Sequence, residues 1–297
     1  MKDWVQRVQV GRKGNKSAPE TQRIMLNECS DWKPVSVATI RADQIERLLE
    51  HVRLGDASKD IKPRPYLANR LHSNLRSFFN WCARPQSGSI KVSPMTGMEA
   101  PFQNEQPRDR AWFRNAAADN AITALWKAAG EIGGHAEKYT KLMLLTAKRR
   151  TALNDMRWEE IDDSWFWNAP KSDSNKKLFG VPLSPLARRV LGPHQKQGPV
   201  FGTLNRRDID KLQGKLRELS GIGDFFWHGC RHLAETRMGD IGVLPYVRDM
   251  LLDHVPARGS GKGYDHGEYK EQMRKAVEQW ARHIEQLVGP EGVAVLR

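Results

Sequence analysis

The feature that most constrains this 297-residue chain is a break in its periodicity. The 24 residues from 84 to 107, RPQSGSIKVSPMTGMEAPFQNEQP, hold four prolines and no helical repeat, whereas regular apolar stripes flank them on both sides. Proline removes a backbone donor and clashes with a preceding turn, so a single helical body cannot run through this stretch. The chain is expected to fold as two bodies with the stretch as their linker and a boundary near residue 105.

Upstream, Leu67, Leu71, Leu75, Phe78, Phe79 and Cys82 recur at three- and four-residue steps, which predicts a helix over 66–82 with one apolar face. A shorter pattern starting near Thr39 puts Ile45, Leu48 and Leu49 on one side of a helix. Residues 1–31 are polar and basic and read as a separate N-terminal segment, with a pliant GRKGNK stretch. Downstream, helices are expected at about 114–130 and 134–147. WFWNAP and LFGVPL, around the polar SDSNKK, then read as a β-hairpin. Helices resume to the end. The last, over about 268–288, carries Val277, Trp280, Ala281, Ile284, Leu287 and Val288 on one side. That face suits either its own core or a neighbouring copy. The fold class is therefore mainly α (α+β), a helical N-terminal domain followed by a mostly helical domain with one small antiparallel sheet.

Charge narrows the partners. Lys and Arg number 48 against 35 Asp and Glu, a net +13 with a pI of about 9.8. The excess is spread: residues 1–105 carry 17 basic and 11 acidic side chains, residues 106–297 carry 31 and 24. A polyanion such as double-stranded DNA fits this balance, and both bodies are expected to touch its backbone, closing on the duplex as a clamp. On the 66–82 helix, the face opposite the apolar stripe presents Asn69, Ser73, Arg76, Ser77 and Asn80 with few acids, which suits DNA as well as it suits solvent. The three cysteines have no CxxC spacing, so neither a disulfide framework nor a cysteine zinc site is indicated. No apolar run approaches the length of a membrane span, and the N-terminus lacks a signal-peptide core. These features predict a cytoplasmic protein with no membrane partner.

The chemistry is concentrated in scattered residues of the second body: Arg149 in TAKRRTALNDMRWEEID, His228 and Arg231 in HGCRH, His254 in LLDHV, and Tyr264 in GKGYDHGEY. Guanidinium groups are permanent, planar countercharges for the oxygens of a phosphodiester. Histidines move protons at neutral pH, and a phenol can attack phosphorus when a base and cations assist it. Taken singly, each signal is weak. The 148–150 run alone reads as a basic surface, and HxxRH alone is unspecific. His228 and His232, four apart, lack the glutamate of an HExxH zinc helix.

Taken together, these pieces resemble the tyrosine recombinases, the phage integrase family. The stretch from Thr146 is similar to their first box, TGxRxxE, followed by an L.W.DI pattern; HGCRH to the second box, HxLRH; LLDH to the LGH element; and VPLSPLARRVL to the segment between the boxes. The tail YDHGEYKEQMRKAVEQWARHIEQL is similar to integrases of the P4-like type, and ANRLHSNLRSFFNWCARPQSGSIKVSPMTGM to their core-binding domain. The resemblance covers roughly residues 32–288.

The resemblance implies a core-binding, SAM-like DNA-binding domain over 32–105 and a catalytic domain over 106–297, with residues 1–31 a remnant or linker of an arm-binding domain. It implies that Arg149 and Arg231 clamp the scissile phosphate, that His228 serves as acid/base, and that His254 hydrogen-bonds the phosphate. Tyr264 would form a 3′-phosphotyrosine, and a hairpin lysine, Lys176 or alternatively Lys171, would protonate the leaving oxygen. No metal, cofactor or ATP is implied. The expected partners are attachment-site core DNA, a homotetramer on that DNA, and an excision factor or host DNA-bending protein. Two departures stand out: Ala147 replaces the first-box glycine and Ala152 its glutamate, which normally supports the arginine. They keep open a catalytically impaired DNA-binding relative; a type IB topoisomerase-like nicking-resealing enzyme is the other alternative. Tyr269, beside the last helix, is expected to have a packing role.

Overall fold

The computed structural model describes all residues except 13, 16, 87–88, 103–111, 113–114, 164, 170–178, 254–268 and 295–297. The chain divides into two compact units, Met1–Arg108 and Asp109–Arg297. It is mainly α, as expected. Among the described residues no helix is long and apolar enough to cross a membrane.

Unit 1 begins with a short turn, α1 (Lys2–Trp4), which runs on as a π-helix over Val5–Arg12. Helices α2 (Ala18–Glu28), α3 (Ala42–Leu54) and α4 (Pro65–Cys82) come next. Pro65 stands in the first turn of α4, where its missing N–H costs nothing. The stripe read from the sequence is its packed face: Leu71, Leu75 and Phe79 are fully buried against Ile45, Leu49 and Val52 of α3.

Two expectations change here. The segment 1–31 is not separate from α3 and α4. Trp4, Val5, Val8, Ile24, Met25 and Cys29 are buried in the same core as those two helices, and Arg64 at the start of α4 grips Glu28 at 2.8 and 3.0 Å. Its apolar residues are few, but Trp4 is large and lands on α4, where it meets Phe78 edge-on at 5.7 Å. Nor does the 84–107 stretch serve as a linker over its whole length. Met95 and Met98 are buried in the unit 1 core, and Asn69 holds the backbone of Phe102 through both its amide atoms, at 2.7 and 3.0 Å. Contacts made by backbone groups and single side chains need no helical period, so sequence patterning passes over them.

Unit 2 is built on α5 (Asn115–Ile132) and α6 (Gly134–Thr146), with the short α7 (Arg150–Asn154) after them. The hairpin β1 (Phe166–Ala169) and β2 (Phe179–Pro182) is antiparallel, with Trp167 opposite Val181 and both side chains buried. Then come α8 (Pro185–Leu191), α9 (Arg206–Ser220), α10 (Trp227–Asp240), α11 (Pro245–Leu251) and α12 (Lys270–Ala294). Helix α12 breaks at Gly289, whose φ of 70° ends the long segment before Pro290. Its apolar side belongs to the unit's own core: Trp280 and Ile284 are fully buried, and the Trp280 indole N–H donates to the Leu144 carbonyl at 2.9 Å. Of the two uses its sequence allowed, packing within the same chain is the one observed.

Candidate phosphate-binding site

Helix α6 is anchored by a buried run over 142–145 and stops at Ala147, which lies in the left-handed region at φ 49°. The chain then turns outward and Arg149 caps α7 with an extended backbone. Position 147 is thus a left-handed helix end, and alanine meets that geometry at a conformational cost.

Arg231 is delivered by α10 from the other side. That helix is pinned by Trp227, whose indole N–H donates to the Ile209 carbonyl at 3.2 Å. Gly229 is required by packing: a Cβ there would lie 2.4 Å from the Trp112 ring. Cys230 is buried, and burial pushes its thiol up to about 12, so it is an inert packing residue. Arg231 itself is only 2% exposed. One Nη donates to the Ala147 carbonyl at 3.2 Å and the other to the Leu252 carbonyl. Burial, and secondarily the nearby Arg149, pulls its pKa down to about 10. It therefore keeps its charge at neutral pH.

Arg149 reaches the same loop. Its Nη1 lies 2.9 Å from Asp253 Oδ2 and its Nη2 donates to the Asp253 carbonyl at 3.4 Å. The two arginines, 82 positions apart in sequence, are thereby tied to neighbouring residues, 252 and 253, just after α11. His228, one turn before Arg231 on α10, is exposed and meets His232 edge-on at 4.8 Å. The site so far is a cationic pair with one buried and one half-exposed guanidinium, and a solvent-facing imidazole on the same helix. It can take up a tetrahedral oxyanion and exchange protons with it.

Of the catalytic candidates singled out by sequence, Arg149, His228 and Arg231 are described. His254, Tyr264, Lys171 and Lys176 lie outside the described residues. Tyr139 is fully buried between Phe201 and Trp227, with ring centroids at 5.1 Å to each, and burial raises its pKa; it is unsuited to nucleophilic work. Tyr246 and Tyr269 meet edge-on at 5.6 Å, a packing contact. Sequence reasoning missed Asp253. Its signal lay in LLDH, where an aspartate stands at the glycine of the LGH element.

In unit 1 the polar face of α4 is partly engaged within the chain. Asn69 is used by Phe102, and Arg76 donates to the Met98 carbonyl, where His72 also sits at 3.2 Å. Ser73, Ser77 and Asn80 line an open groove of about 1060 Å³ together with Thr96 and Gly97.

No protein-family model matches the chain. In sequence, 149 residues are 28% identical to the prophage integrase IntA of Escherichia coli K12, covering 46% of this chain and 36% of that protein. The chain thus spans about a third of the length of the curated relative it matches. In fold, it is similar to a lambda integrase fragment (residues 75–356) solved as a dimer bound to a COC′ core site, with a TM-score of 0.60 and 14% identity over 90% of this chain and 98% of that one. A second lambda integrase dimer on the same core site gives a TM-score of 0.59 at 15% identity, covering 90% and 79%. The fold resembles that of lambda integrase. The sequence match to IntA is a similarity over about half of this chain.

Proposed function

We propose that this chain is a site-specific DNA recombinase that integrates or excises a mobile element, of the P4-like integrase type. The observation that supports this most is the convergence of Arg149 and the buried Arg231 on residues 252–253. Two guanidiniums fixed beside each other suit a phosphodiester whose non-bridging oxygens gain charge in the transition state. In this reading unit 2 cleaves, and unit 1 binds the core site through the α4 groove residues Ser73, Ser77 and Asn80. Asn69 and Arg76 serve partly by holding the groove wall.

The Tyr264 phenol oxygen forms a bond to phosphorus and the bond from phosphorus to the 5′ oxygen breaks. His228 takes the phenol proton, and a hairpin lysine, Lys176 or Lys171, gives one to the leaving 5′ oxygen. His254 donates to a non-bridging oxygen. The 3′-phosphotyrosine link conserves the phosphodiester, so a second 5′-hydroxyl can reverse the step without ATP. Four protomers on two duplexes, with an excision factor or a host DNA-bending protein, complete strand exchange in the cytoplasm on chromosomal DNA.

The test is a core-site duplex nicked so that the short 5′-hydroxyl fragment diffuses away after cleavage. The wild type accumulates a covalent protein–DNA adduct, in EDTA as without it, and Tyr264→Phe binds the site but forms none. An adduct from Tyr264→Phe, or loss of wild-type cleavage on metal removal, overturns the reading. A wild type that binds its site and never forms an adduct is the impaired relative, and one that only relaxes supercoils is the topoisomerase-like alternative.

A further inference from the structure

Asp253 is placed in a way that packing alone does not call for. Its backbone is left-handed at φ 53°, a conformation that is strained for most L-residues and that glycine adopts freely. The side chain gains from this the ion pair with Arg149 at 2.9 Å, 104 positions away in sequence. Arg231 is buried close by and feels the Arg149 charge, a repulsion that the carboxylates of Glu235 and Asp253 offset. Within α7 itself no acidic residue stands in the first turn, whose third helical residue after the Arg149 cap is residue 152. That position is alanine.

We propose that Asp253 is a positioning residue: it holds the Arg149 guanidinium in register with Arg231, supplying from the 252–253 turn the carboxylate that position 152 lacks. A guanidinium has five N–H donors, of which Asp253 takes two, so among the described residues three remain for a phosphate. The side chain of Arg149 is 37% exposed, and that open part is reachable from solvent. The inference rests on the recombinase reading above.

The test compares single-turnover adduct formation on the nicked duplex with the affinity for the intact duplex. Asp253→Asn keeps a residue that tolerates the left-handed backbone and removes only the charge. Its cleavage rate falls roughly tenfold or more, the usual effect of losing a partner that orients a functional group, while DNA affinity stays within about twofold. Asp253→Gly relaxes the backbone, so it folds at least as well, and shows the same loss. Adding Ala152→Glu to either variant returns much of the rate. Cleavage by Asp253→Asn at or above the wild-type rate shows that the carboxylate competes with the phosphate and overturns the proposal. So does a rate that Ala152→Glu leaves unrestored. Absence of an adduct from the wild type is a different result, and removes the recombinase reading itself.

Discussion

Arg231 is the side chain that joins fold and chemistry in unit 2. At 2% exposed it would be costly to bury as an ion, yet its two terminal nitrogens are matched by the carbonyls of Ala147 and Leu252. Those bonds set the relative position of the turn after α6 and the turn after α11, the two places from which Arg149 and Asp253 meet. A lysine at 231 keeps the charge but has no planar fork, so it cannot satisfy both carbonyls and still face an anion. Arg231→Lys is expected to lower adduct formation by about a hundredfold or more with site binding retained, the scale of losing one fixed donor to a transition-state oxyanion. Near-wild-type cleavage by the lysine variant would show that charge alone suffices. The HGCRH stretch made Arg231 legible as a candidate, and the residues around it explain its letters. Gly229 makes room for Trp112, and Cys230 is packing. Asp253 was not legible in the same way, because its meaning depends on a partner 104 positions away.

At the scale of elements, periodicity told the truth wherever burial tracks a helix face. The stripes on α4 and α12 read from the sequence are the faces found in the two cores. What periodicity could not say is which surface covers a face. The apolar side of α12 over 277–284 lies in its own unit, with the Trp280 indole satisfied by Leu144. Trp280→Ala is accordingly expected to cost about 3–5 kcal/mol of stability, as for other large buried aromatics, seen as a lower urea midpoint for unit 2. A variant with unchanged midpoint but lost self-association would mean that the helix serves a neighbour instead. In unit 1 the polar face of α4 divides into two parts. Asn69→Ala breaks two hydrogen bonds to Phe102 and should destabilise the unit by about 1–3 kcal/mol, whereas Ser73→Ala and Asn80→Ala should leave its melting unchanged and weaken DNA binding. If all three melt alike and bind alike, that face has neither role.

For the whole molecule, the linker pattern led to two bodies, and the chain does divide into two compact units, at 108/109. The extent of unit 1 was harder to read, since its first 31 residues and the stretch up to Phe102 join it through scattered large side chains and single hydrogen bonds. The charge, by contrast, was plain from composition, and it carries a prediction for the complete chain. With +13 overall and an excess in both units, binding to duplex DNA is expected to release many counterions. Affinity should then fall roughly a thousandfold or more between about 50 and about 200 mM salt. Helix α9 offers a place to dissect that slope. Arg207, Asp210 and Lys211 share one of its exposed faces, and Asp210 pairs there with Arg150, the neighbour of Arg149. A duplex gripped at Arg149 would run past this face. Replacing Arg207 and Lys211 by glutamine should lower the slope of log affinity against log salt by about 0.9 for each cation removed, with no change in which sequence is preferred, because phosphate contacts position without specifying. A slope equal to that of the wild type would mean that the α9 face stays in solvent and that the duplex leaves the arginine pair in another direction.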